Sequence, residues 1–172
     1  MSNKIRVLWG ESNAFSALNI LAAHVYAHGG YCLTCAKNAT EVVQKISENE
    51  YDVIILNIII EPGIDDNLIK ISSKLWRNEM TSARLGLQLL YGLLRPKKKE
   101  TEFSFLNVPG WVNPNKIGIL FTGFDTEVKN LDEDLKILGI NPNIAYTRYA
   151  LKTPPTILLD MIQRILERNS NL

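Results

Sequence analysis

Apolar runs alternate along this chain with segments in which apolar residues recur at helical spacing. The strongest run is residues 53–60, which is apolar everywhere except at Asn57. A continuous, β-branched run of this kind is typical of a central strand in a parallel sheet that is covered on both faces. Four further strands are predicted at residues 5–9, 31–36, 117–122 and 144–149.

Helical signals fall between these strands. Ser12 or Asn13 is predicted to cap a first helix that Gly29 ends, and Asn38 with Glu41 has the spacing of a capping box for a second. Further helices are predicted at residues 68–76, 81–94 and 125–138, and a last one from Thr153, with Pro154 at its first position. The inner face of the first helix is predicted to carry Phe15, Leu18, Leu21, Ala22 and Val25, and that of the last helix Leu158, Met161, Ile162 and Ile165.

Repeated strand–helix alternation predicts an α/β fold with a doubly wound, five-stranded parallel sheet and helices on both faces. At this length we expect the flavodoxin-like strand order 2-1-3-4-5. Such folds bind ligands beyond the carboxyl ends of their strands, so functional residues should lie near residues 9–11, 57–63, 122–124 and 152.

The 172 residues are expected to form one domain, 1–172, with an extended insertion at about 64–80 and a long surface loop at about 96–115. Four aromatic residues in these polar stretches must either fold back onto the body or meet a partner: Trp76, Phe103, Phe105 and Trp111.

Charge and cysteine content narrow the function. Nineteen Lys and Arg against eighteen Asp and Glu give a net charge of +1, which argues against nucleic-acid binding as a function, and Glu100 and Glu102 follow the short Lys97–99 run directly. No signal peptide or membrane span is expected, so we expect no membrane partner. Two cysteines cannot form a disulfide framework, and we expect a cytoplasmic protein.

The single Cys32-x-x-Cys35 lies within a predicted strand, where residues three apart point to opposite faces. We interpret both as buried structural cysteines and not as a redox pair. Together with His24 and His28 they superficially resemble zinc-ligand spacing, but a metal needs converging ligands, and none is expected here.

The strand ends carry a recognisable order of residues in the stretches 5–11, 52–57, 120–123 and 151–154. There the chain resembles the receiver domain of response regulators, and the resemblance covers nearly all of it. In that family paired acids after the first strand hold Mg²⁺, an Asp ending the third strand accepts phosphate, a Thr or Ser ends the fourth, and a Lys before Pro follows the fifth. Thr122 and Lys152 match, and Tyr149 is a candidate for the family's switch aromatic.

The departures from the family pattern concern its chemistry. Asn57 occupies the phospho-accepting position, and the acid pair falls on Trp9 and Gly10, which leaves Glu11 as the one acid. Phosphoryl transfer to a side chain needs a carboxylate nucleophile, and Mg²⁺ prefers hard oxygen ligands. The resemblance therefore implies a pseudo-receiver with a degenerate site and no metal.

Two functions remain open. The first is a phosphorylation-independent signalling or regulatory module that binds another protein, without enzymatic activity or a cofactor. The alternative is a flavodoxin-like domain that binds a small molecule or nucleotide in the altered pocket, with Trp9 at its mouth.

The resemblance also implies a weak homodimer through the family's fourth helix, fifth strand and last helix. This face would present Lys129, Glu133, Lys136, Arg148, Arg164 and Glu167, with Tyr146 or Tyr149 nearby.

Overall fold

The computed structural model describes residues 4–16, 18–77, 84–95, 102–122, 131–150 and 152–170. Its centre is a five-stranded parallel sheet in the order β2-β1-β3-β4-β5, which confirms the predicted fold class and strand order. The strands are β1 (Ile5–Gly10), β2 (Tyr31–Ala36), β3 (Val53–Leu56), β4 (Ile117–Phe121) and β5 (Tyr146–Arg148).

Helices cover both faces of the sheet. Two of them, α1 and α7, enclose one apolar layer, while residues of α2 to α6 pack into the other. The helices are α1 (Asn19–His28), α2 (Ala39–Glu48), α3 (Asp66–Arg77), α4 (Leu85–Leu94), α5 (Leu131–Ile137), α6 (Pro142–Ala145) and α7 (Ile157–Ser170).

Several local signals act as predicted. Gly29 ends α1 in the left-handed conformation (φ 76°) that favours glycine. The side chain of Asn38 caps α2 by accepting from the backbone N–H of Glu41. The predicted inner face of α7 is completely buried.

Strand β3 ends at Leu56, four residues earlier than predicted. The backbone N–H of Asn57 still bonds to the Gly10 carbonyl, but its side-chain oxygen accepts from the N–H of Ile59 and turns the chain. Ile58 and Ile60 are nevertheless buried in the core. The apolar run therefore reflects burial beyond the end of the strand.

The first helix begins at Asn19, so Ser12 and Asn13 are not its cap. The N–H of Asn13 instead donates to the Glu11 carboxylate, residues 12–16 form turns, and Phe15 is 61% exposed.

Two later boundaries also differ from prediction. Ile144 belongs to the short helix α6, which Asn141 caps, and not to β5. Helix α7 begins at Ile157 because the Thr153 hydroxyl accepts from the N–H of Ala150 in a preceding turn.

Helix α4 is buried on nearly all sides, because the segment 102–106 folds over it. Phe103 is 2% exposed and lies so close to Gly92 that an added Cβ would come within 2.4 Å of it. Part of the predicted surface loop is thus core. Trp111 also folds back, since its ring centroid lies 6.2 Å from that of Tyr51, whereas Phe105 is 40% exposed.

Predictions that fall on residues 78–83, 96–100 and 123–130, or on the side chain of Trp76, lie outside the described part of the chain. Within the described residues, no helix combines the length and apolar character that crossing a membrane requires.

Candidate functional site

Three polar side chains converge at the carboxyl ends of β1, β3 and β4. The amide nitrogen Nδ2 of Asn57 donates to Glu11 Oε2 at 2.7 Å and to Thr122 Oγ1 at 2.6 Å. The Thr122 hydroxyl donates to the same Glu11 oxygen at 2.8 Å. We call Glu11, Asn57 and Thr122 the polar triad.

The strand register explains why these residues meet. Gly10 pairs with Leu56, so the next residues along the two strands, Glu11 and Asn57, lie side by side. Thr122 follows directly after β4, the other neighbour of β3. Parallel strands place their carboxyl ends at one edge of a sheet, which brings residues that are distant in sequence into contact.

Two members of the polar triad are buried, and the side chains of all three members are hydrogen-bonded. Glu11 is 0% exposed and Asn57 3% exposed, while Thr122 is half-buried. The second Glu11 oxygen accepts from the N–H of Asn13 at 2.9 Å, and the Asn57 oxygen accepts from the N–H of Ile59 at 3.1 Å. Because a buried carboxylate needs such donors to be tolerated, the contacts account for the burial of Glu11.

Trp9 and Gly10 belong to the core and not to a pocket. Trp9 is 0% exposed in the layer under α1 and α7, with no hydrogen-bond partner for its indole N–H among the described residues. A Cβ on Gly10 would lie 2.5 Å from Leu56, on the opposite face. This corrects the expectation that Trp9 stands at the mouth of an altered pocket.

Lys152 and Tyr149 are separate from the polar triad. Lys152 is exposed and makes no hydrogen bond or ion pair to the triad within the described residues. The backbone N–H of Tyr149 bonds to the Phe121 carbonyl at 2.8 Å, and its side chain packs against the layer under α1 and α7.

The start of α2 and the loop after β1 hold the loop after β3 in place. The Thr40 hydroxyl donates to the Pro62 carbonyl at 2.8 Å and accepts from the N–H of Asp65 at 3.0 Å. The N–H of Glu61 donates to the hydroxyl of Ser12 at 3.3 Å. The loop after β3 is thereby fastened to the loop after β1 and to the first turn of α2.

Helix α4 supports the same loop from below through Gly86, a residue whose role the sequence pattern does not predict. The N–H of Gly86 bonds to the Ile58 carbonyl at 2.8 Å. A Cβ at Gly86 would come within 1.9 Å of the Asn57 carbonyl oxygen, so only glycine fits. The sequence feature that draws attention to Gly86 is the Gly86-x-x-Leu89 spacing at the start of an apolar helix.

The two cysteines are free thiols in different surroundings. Cys32 is exposed, which corrects the prediction that both are buried, while Cys35 is half-buried against the layer under α1 and α7. Burial raises the pKa of the Cys35 thiol, and the neighbouring Tyr26 hydroxyl partly opposes this rise. Among the described residues, no three His, Cys, Asp or Glu side chains are grouped to hold a metal ion.

Comparison with solved structures identifies the architecture. The receiver domain of Francisella response regulator 1452 shares 18% identity with the chain at a TM-score of 0.54, covering 96% of this chain and 99% of that one. The Vibrio cholerae chemotaxis response regulator CheY4 shares 15% identity at a TM-score of 0.52, covering 95% and 99%. The chain has the fold of a response-regulator receiver domain.

A third similar structure is the signal receiver domain of an HD domain-containing protein from Pseudomonas fluorescens Pf-5, with 13% identity, a TM-score of 0.52 and coverage of 99% and 100%. No protein-family model matches the chain, and no curated protein matches it at a significant level.

Proposed function

We propose that the protein is a phosphorylation-independent signalling or regulatory module that binds another protein and is not an enzyme. The polar triad is the observation that supports this proposal. An amide stands where a phospho-accepting receiver needs a carboxylate, and an amide oxygen is too weak a nucleophile for phosphoryl transfer. In this proposal the receiver fold serves as a scaffold, and the protein acts by binding a partner protein.

The contacts of Glu11 and Thr122 support the same proposal. A metal ion at this edge would have to displace the donors that already occupy both oxygens of Glu11. A Thr122 hydroxyl engaged by Glu11 and Asn57 is held in one position. In this proposal the internal hydrogen bonds hold the site in a single state without phosphate or Mg²⁺.

Phosphorylation with a small-molecule donor tests the proposal. Incubation with acetyl phosphate and Mg²⁺ should leave the intact mass unchanged, whereas a phospho-accepting receiver treated in parallel gains one phosphoryl group. A stable adduct mapped within residues 50–65 would overturn it.

The ligand-binding alternative has weak support in this geometry. Glu11, Asn57 and Trp9 are all buried, so a nucleotide or flavin could reach them only after the hydrogen bonds of the edge open. We expect no change in melting temperature when nucleotides and flavins are screened, because a ligand that binds only the folded state would raise it. A clear rise would favour the alternative.

The proposed site of action is the cytoplasm, where the thiols of Cys32 and Cys35 would stay reduced. The proposed partner is a protein, and the face of α5, β5 and α7 is proposed for a weak homodimer. On this face Arg164 donates to the Thr147 hydroxyl at 2.9 Å, and Arg148 lies 5.5 Å above the Phe121 ring.

A further inference from the structure

The loop after β3 exposes a large apolar side chain at the same edge of the sheet as the polar triad. Ile64 is 88% exposed and follows Gly63, whose positive φ of 79° forms the turn. An added Cβ at Gly63 would lie 2.5 Å from the Asn38 side chain, so the turn packs tightly on the loop after β2. The backbone beneath Ile64 is therefore positioned before any partner arrives.

A second exposed apolar group lies across the same edge. Phe15, in the turn after β1, is 61% exposed, and the Lys37 ammonium lies 5.6 Å from its ring centroid. Lys37 directly precedes Asn38, which the loop of Ile64 contacts. Phe15, Lys37 and Ile64 thus lie on the three loops that follow β1, β2 and β3, and we call these three residues the edge strip.

Acidic side chains flank Ile64 in the edge strip. Glu61 and Asp66 are exposed on either side of it along the chain, and Asp65 lies between Ile64 and Asp66. The Asp65 carboxylate accepts from the N–H groups of Asn67 and Leu68 and so caps α3. Capping of α3 explains why an acid is present at Asp65. Glu61 and Asp66, by contrast, carry exposed charge near the exposed Ile64 along the chain.

We propose that the edge strip docks a segment of a partner protein in which basic residues flank a large apolar side chain. Ile64 supplies the apolar contact, and Glu61 and Asp66 pair with the flanking Lys or Arg. The three acids within residues 61–66 outnumber the single Lys37 of the edge strip. This excess of negative charge disfavours nucleic acid and anionic lipid, so the proposed occupant is a protein segment. This inference rests on the proposed function, since it names the partner chemistry of a protein-binding module.

Preorganisation supports Ile64 as the main contact. A large apolar side chain on a backbone held by neighbouring loops loses little freedom on binding, so most of its burial contributes to affinity. Replacing such a central contact commonly weakens binding by tenfold or more. Charged residues at the rim mainly change the association rate and its salt dependence.

The test uses two synthetic peptides of 12 residues with the same leucine-containing centre, one flanked by lysines and the other by glutamates. With the isotope-labelled full chain, NMR titration with the lysine peptide should shift the amide signals of residues 12–16, 37–40 and 61–66, and the glutamate peptide should not. Ile64→Ser should weaken lysine-peptide binding about tenfold. Glu61→Gln combined with Asp66→Asn should remove most of its salt dependence.

Ile137→Ser is the matched control, because Ile137 is 44% exposed on α5 and is remote from the edge strip in sequence. It should leave peptide binding unchanged. Equal binding of both peptides, shifts confined to other surfaces, or no binding at millimolar peptide would overturn the inference. If the protein neither binds the peptide nor becomes phosphorylated, the docking role of the edge strip is rejected and the proposed function stands.

Discussion

The side chain of Asn57 differs from that of an aspartate by one heavy atom, an amide nitrogen in place of a carboxylate oxygen, and this atom changes the chemistry of the site. Its amide nitrogen donates to both Glu11 and Thr122, which a carboxylate at that position could not do. The amide thus supplies a donor where two buried acids would otherwise face each other.

Asn57→Asp should not restore phosphorylation and should destabilise the protein in a pH-dependent way. The new carboxylate would replace a nitrogen that lies 2.7 Å from Glu11 Oε2, and the like charge would raise the pKa of one of the two acids. An acid with a raised folded-state pKa contributes stability at low pH and loses it as the pH rises through that pKa. The deficit relative to wild type should therefore be wider at pH 8 than at pH 5.

Urea unfolding at the two pH values measures this difference, and Asn143→Asp on the exposed start of α6 is the surface control. A deficit that does not grow with pH would show that the two carboxylates do not interact.

Gly86→Ala should reduce the free energy of unfolding by at least about 2 kcal/mol, because backbone must move to admit a methyl group. The added Cβ would meet the Asn57 carbonyl at 1.9 Å. Gly110→Ala is the matched control, since nothing lies within 4 Å of its added Cβ, and it should change stability by no more than about 0.5 kcal/mol. Chemical denaturation of both variants decides the point, and equal stabilities would contradict the role of Gly86.

At the scale of elements, α4 joins the site to the segment that follows it. Its first turn supports the Asn57 loop through Gly86, and Gly92 receives Phe103 from the segment 102–106. Arg95, which ends the helix, donates to the Leu106 carbonyl. Tyr91 on the same helix donates to Asp134 of α5.

Phe103→Ala should cost about 3–5 kcal/mol of stability, as expected for removing a buried aromatic ring. Phe105→Ala should cost no more than about 1 kcal/mol, because Phe105 is 40% exposed and buries less apolar surface. Thermal or urea unfolding of the two variants compares them. Similar losses would mean that the segment does not pack on α4 as described.

Tyr91→Phe should destabilise the protein by about 1–2 kcal/mol at pH 7.5, through loss of the bond to Asp134. Burial, and then the Asp134 contact, raise the pKa of Tyr91 above its ordinary value of 10.0. A raised folded-state pKa contributes stability that is complete below pH 10 and declines above it. The gap between wild type and variant should therefore narrow at pH 11 in urea unfolding, and a constant gap would contradict the assignment.

At the scale of the whole molecule, the proposed homodimer face carries both signs of charge. Glu133, Lys136, Arg148 and Glu167 could set acid against base across a two-fold axis. Exposed ion pairs contribute only about 0–1 kcal/mol each, so we expect a weak and salt-sensitive monomer–dimer equilibrium.

Arg148→Glu should shift this equilibrium toward monomer in analytical ultracentrifugation, and Arg148→Gln should have a smaller effect. A single species that responds neither to salt nor to either substitution would exclude the dimer. A shift that is equal for both variants would indicate loss of the contact of Arg148 with Phe121 and not loss of charge pairing.

The sequence by itself determined the fold class and the strand order, because alternating apolar runs and local caps such as Gly29 and Asn38 act within a few residues of chain. It also determined that an amide, Asn57, follows the buried third strand. It misplaced the end of β3 and the start of α1, because burial continues past the last strand hydrogen bond and because Asn13 bonds to Glu11.

Only the tertiary structure decided how the polar triad is assembled. Glu11, Asn57 and Thr122 follow three different strands, and their contacts depend on the strand register, which no local pattern encodes. Burial of Trp9 and Phe103 likewise depends on which helices cover them. The sequence states which side chain stands at each position, but the packing of distant segments determines which groups that side chain contacts.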